Sequence, residues 1–134
     1  MNYKHRLARC NALVAGGLLC VVGVLHDMVN ISAFTRATAR GDIAAKLSPQ
    51  LVANVAFGGM ALSLFGVFLV LIAQDLERGK RAAWRIGTVI GLFFVVDGVA
   101  AYLWLPIAPV LLFSALGGVI SGPLLIWRSE FLAE

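Results

Sequence analysis

Charge is scarce in this sequence. Only 13% of its 134 residues are Asp, Glu, Lys or Arg, against roughly 25% in an average soluble domain, which excludes an ordinary water-facing surface over most of the chain. Cysteine is nearly absent as well. Cys10 and Cys20 are the only two, and on one helix they lie about 15 Å apart, beyond the roughly 7 Å that a disulfide can span between Cα atoms. There is no C-x-x-C motif to support quinone-linked disulfide chemistry, so both read as small packing residues. Of two histidines, His5 falls in a basic tail and only His26 lies in an apolar run. Haem held between two histidines of one chain is thereby excluded, and one His with separated aspartates is too weak a set for zinc or di-iron, so no metal site is expected. A Gly-rich phosphate loop and a serine-nucleophile motif are also missing.

What is present is hydrocarbon-like. Sixty per cent of the residues are hydrophobic and the mean hydropathy is +0.91. Four apolar runs of about 20 residues, the length that crosses a bilayer, fill most of the chain. The expected fold is an all-α integral membrane four-helix bundle forming one transmembrane domain over 1–134. Its helices are expected at about 7–29, 51–73, 84–105 and 107–127, with a polar external loop over 30–50. A basic start followed by an apolar run also fits a secretory signal peptide, but the region of Ser32 and Ala33 lacks a small-x-small cleavage pattern. The first run is therefore read as a span. Ser48 and Pro49 supply an N-cap and a first-turn proline for the second, Gly79 a turn before the third, and Pro106 and Pro109 a break before the fourth.

Basic residues set the orientation. Lys4, Arg6, Arg9, Arg78, Lys80, Arg81, Arg85 and Arg128 fall on one side of this arrangement and Arg36, Arg40 and Lys46 on the other, so the positive-inside bias places both termini in the cytoplasm. Trp84 and Trp127 mark the inner interface and Trp104 the outer. This distribution accounts for the pI near 9.6 without nucleic acid, which is not an expected partner. The layout is similar to that of many small bacterial four-helix membrane proteins, which implies a bacterial inner membrane. That likeness is architectural and carries no functional residues across.

Lipid supplies no hydrophobic drive between helices, so small residues must mark the contacts. The spacing small-x-x-x-small occurs at Gly16 and Cys20, Gly59 and Ser63, Gly87 and Gly91, and Ser114 and Gly118, with Gly98, Gly117 and Gly122 extending such stripes. These faces serve a bundle or a homodimer equally well.

Ionisable groups inside spans cost roughly 2.5–3.5 kcal/mol at the helix centre, so each needs a reason. His26, Asp27, Asn54 and Asp97 come from three helices, and all four are expected in the outer half of the membrane. His26 and Asn30 share a face, Asp27 is turned about 100° from His26, and Asn54 aligns with Gly58, Ala61 and Phe65 as an interior stripe. His26 and Asp97 are the expected central pair, with Asn30 and Asn54 as hydrogen-bonding neighbours and Asp27 facing the interface. A purely structural pairing of His26 with Asp97, fixing helix register, is the alternative. Ser114, Ser121 and Tyr102 read as packing or interfacial residues.

The expected function is binding of a small amphipathic or lipid-like molecule in an outer-leaflet polar pocket made by His26, Asn30, Asn54 and Asp97, in the manner of an accessory subunit. Membrane lipids and a homodimer or larger membrane complex are the expected partners. Two other classes use the same residues: a proton-coupled transporter acting as a homo-oligomer through Asp97, and a membrane lipid-modifying enzyme with His26 and Asp97 as acid and base.

Overall fold

The structure is a computed structural model that describes residues 2–106 and 108–132. Every element among them is an α-helix: α1 Tyr3–Ala39, α2 Ser48–Glu77, α3 Arg81–Trp104, α4 Ala108–Ile126 and α5 Arg128–Leu132. Three of these, α1 to α3, are long and apolar enough to cross a membrane, while the apolar part of α4 is the shorter segment Val110–Ile126. The described chain thus has five helices rather than four, because a turn at Trp127 separates α5 from α4. The expected start of the last span, residue 107, lies outside the described residues.

The largest departure from expectation is the end of α1. Residues 30–39 continue the helix instead of opening an external loop, and the reason is local. Each polar side chain there bonds its own helix: Asn30 Nδ2 donates to the His26 carbonyl at 2.8 Å, Ser32 Oγ to Val29 at 2.9 Å, Thr35 Oγ1 to Ile31 at 2.8 Å and Thr38 Oγ1 to Phe34 at 2.9 Å. Polar residues satisfied in this way let the helix outrun its apolar stretch. It stops at Gly41, whose φ of +82° allows the amides of Gly41 and Asp42 to reach back to Thr38 and Ala37 at 3.0 Å each, a Schellman ending. Gly79 ends α2 likewise, with φ +76° and amides of Gly79 and Lys80 on Leu76 and Asp75.

The chain divides into two compact units, Met1–Ala15 with Leu69–Glu134, and Gly16–Phe68. In the first, α1 contributes Ala8 and Ala12 to a core shared with Ala73, Leu76, Ala83, Leu124 and Phe131. Helices α3 and α4 meet backbone to backbone. A side chain added at Gly117 would meet the Gly91 carbonyl oxygen and the Val95 amide nitrogen at 2.5 Å each, and Gly91 and Gly98 lie equally close to Ser121 and Ser114. The face of α4 in contact is therefore Ser114, Gly117 and Ser121. Gly118 and Gly122, the alternative register of the small-residue stripe, look onto open space.

Two carbonyls near the end of α4 depend on other helices. Pro123 has no amide hydrogen, so the carbonyl of Val119 loses its intrahelical partner, and Asn11 Nδ2 of α1 donates to it at 2.6 Å. Where the helix stops, the Leu124 carbonyl accepts the indole N–H of Trp84 at 2.7 Å. A helix carbonyl without its intrahelical partner needs another donor, and these two side chains, in supplying one, tie α4 to α1 and α3.

The basic end of this unit is clasped by ion pairs: Lys4 with Glu130 at 2.6 Å, Arg9 with Glu77 at 2.8 Å and Lys80 with Asp75 at 2.8 Å. Hydrogen bonding from Lys4, and then its charge, holds the Glu130 carboxyl below its ordinary value of 4.5. The hydrogen bond to Glu130 in turn raises Lys4 above 10.5. A depressed acid stabilises above its unfolded value and loses that contribution as pH falls through the folded one, whereas a raised base loses its contribution as pH rises. Protection of the α5 amides, taken as exchange relative to the intrinsic base-catalysed rate at each pH, is therefore expected to hold constant between pH 4.5 and 10.5 and to fall outside that window. Protection already lost at neutral pH would show that the clasp does not hold α5.

In the second unit α1 and α2 pack through glycines. Gly23 lies on the Gly59 carbonyl and Ser63, Gly66 lies on the Gly16 carbonyl and Cys20, and Cys20 and Ser63 exchange long hydrogen bonds of 3.5 Å. The interior stripe of α2 is Gly59, Ser63 and Gly66. It is one residue away from the expected line of Asn54, Gly58 and Ala61, of which Asn54 and Ala61 are exposed.

Throughout both units the usual order of sizes is inverted. Among the described residues, alanines make up five of the thirteen buried apolar residues, while thirty-three large apolar side chains are exposed. Water would not tolerate such a surface; hydrocarbon solvates it.

Candidate functional site

The polar cluster of the second unit is built on consecutive turns of α1. The Asp27 carboxylate is pressed directly on the Cα of Gly59, so closely that any side chain there would overlap it. Gly59 is thus the reason an acidic side chain fits between these helices. His26 Nδ1 lies 3.3 Å from Asp27 Oδ1, and its Cε1 stands over Gly58, at van der Waals distance from where a Cβ would be. The two side chains are 32% and 23% exposed, so the dyad is packed against α2 yet reachable from outside.

Asn30, the neighbour expected on the same face as His26, is one turn on, with its amide spent on the His26 carbonyl. Asn54 is exposed on α2 and makes no side-chain hydrogen bond among the described residues. Asp97 belongs to the other unit. It is exposed on α3, with Phe93, Val96 and Val99 exposed around it, and it makes no hydrogen bond or ion pair among the described residues.

The carboxylate that the structure gives to His26 is therefore Asp27. Sequence reasoning set it aside because adjacent helical residues are 100° apart. That rotation forbids two side chains from pointing the same way, but it does not stop neighbours at the edge of one interface from touching. The glycine pair at 58 and 59, directly across the interface, was the signal that an unusually close approach occurs at this level.

Chemically the arrangement offers an imidazole oriented by a carboxylate, the pairing that fixes a histidine tautomer. Among the described residues no cluster of three or more His, Cys, Asp or Glu could hold a metal ion, and both cysteines are free. Ser114 and Ser121 bond backbone carbonyls, Val95 at 3.1 Å and Gly117 at 2.8 Å, and so serve packing. Compared with protein-family models, curated proteins and solved structures, the chain matches none.

Proposed function

We propose that this protein crosses a bacterial inner membrane four times, with both ends cytoplasmic, and binds a small amphipathic, lipid-like molecule whose polar head meets His26 and Asp27. The observation that carries the reading is the partial exposure of this dyad beside large exposed apolar residues. Leu25, Met28 and Val29 flank it on α1, and Phe57 and Met60 follow on α2. A polar pair opening onto a hydrocarbon-like surface matches a ligand with a polar head and an apolar tail. Asn54, exposed one turn before Gly58, supplies a further hydrogen-bonding group.

The fourth crossing is α4. Its apolar part, Val110–Ile126, is at the short end of the roughly 17–25 residues that span a bilayer. The eight-to-three division of basic residues supports the orientation.

The test is a thermal-shift survey of the purified full-length protein against lipid classes. One class is expected to raise the melting temperature by several degrees, and His26→Ala and Asp27→Asn should each abolish that shift while still folding. A shift of undiminished size in both variants would end this reading.

A further inference from the structure

A second feature lies at the basic end of the first unit and uses none of the residues of the His26 dyad. Leu7 and Asn11 of α1 and Val119, Pro123 and Trp127 line an open groove of about 310 Å³. Its walls are apolar except for Asn11, and the amide of Asn11 is already engaged by the Val119 carbonyl. The indole N–H of Trp127 makes no hydrogen bond among the described residues.

Charge at this end is unbalanced. Asp75, Glu77 and Glu130 are matched by Lys80, Arg78, Arg9 and Lys4. Arg6, Arg81, Arg85 and Arg128 are exposed and have no ion pair among the described residues. Two of them adjoin the groove in the chain, Arg6 beside Leu7 and Arg128 beside Trp127. An occupant of this place must be apolar along the helices and anionic at their ends. Arginine matches a phosphate with two parallel hydrogen bonds, and a tryptophan at this level suits the ester region of a lipid.

We propose that the groove holds one acyl chain of an anionic glycerophospholipid, with the phosphate on Arg6 and Arg128 and the ester oxygens within reach of the Trp127 indole N–H. This site rests on the chain being a membrane protein and is independent of the His26 dyad, so each can fail without the other.

Native mass spectrometry of the full-length protein in detergent, offered phosphatidylglycerol or phosphatidylcholine, tests it. Juxtamembrane arginines favour anionic lipid by about fivefold each, so roughly a 25-fold preference for phosphatidylglycerol is expected. The paired variant R6Q with R128Q should bring the preference close to unity, and R81Q with R85Q should leave it within about twofold of the original. Leu7→Trp, which fills the groove from an exposed position, should displace both lipids. The proposal is overturned if wild type shows no preference, if the two paired variants lose it equally, as diffuse charge would require, or if Leu7→Trp abolishes a dimer instead of a lipid adduct.

Discussion

Replacing Gly117 by alanine is expected to destabilise the protein by about 2–3 kcal/mol, while the same change at Gly118 is expected to cost nothing. The two glycines are adjacent in one helix, so helix propensity cancels in the comparison. A methyl at Gly117 would press on the backbone of α3, on the Gly91 carbonyl, the Val95 amide and the Phe94 carbonyl carbon. Backbone cannot rotate aside as a flexible side chain can, so the helices must separate, and overpacking of this kind costs roughly 1–3 kcal/mol or more. At Gly118 nothing lies within 4 Å, and alanine there gains about 0.5–1 kcal/mol of helix propensity. Unfolding of both variants in the same detergent decides the matter. A larger loss at Gly118 than at Gly117 would mean that the contact face of α4 runs through Gly118 and Gly122 after all.

The second large effect is a coupling. Asn11→Leu is expected to cost about 0.5–1.5 kcal/mol, the net contribution of one hydrogen bond, because leucine cannot supply the bond that Val119 receives. In a Pro123→Ala background the helix recovers its own amide donor at that position, and Asn11→Leu should then cost only a few tenths of a kcal/mol. A double-mutant cycle should therefore return an interaction energy of about 0.5–1 kcal/mol. Additive losses would show that Asn11 acts through packing and not as the substitute donor for a proline-broken ladder. Trp84, which donates to the Leu124 carbonyl, should be unaffected by the Pro123 change, since that carbonyl is freed by the end of the helix.

Much of the architecture could be read from apolar run length and punctuation. The cores of α2 and α3, the Ser48–Pro49 start and the Gly79 turn lie close to where they were expected. The continuation of α1 over 30–39 is hidden in the sequence, because residues 30–50 are too polar for hydrocarbon and long enough for a short surface helix of their own, and only Gly41 marks where α1 stops. The side-chain bonds of Ser32, Thr35 and Thr38 to their own turns show why polarity and helix coexist there. Rotation about each helix axis was less legible still. Helices that are apolar nearly all round carry no amphipathic stripe to tell inside from outside, so the choice between Gly117 and Gly118, or between Gly58 and Gly59, rested on spacings that fit either register. The same blindness put Asp97 and Asn54 on interior faces. Asp27, discounted by its angle, proved to be the carboxylate beside His26.

The outward carboxyl of Asp97 bears on how the molecule behaves in a crowd. It is the one acidic group of α3, exposed among the apolar side chains of Phe93, Val96 and Val99, and an acid in such surroundings is costly until it finds a partner. Whatever donor drifts alongside in the plane of the membrane meets an adhesive edge.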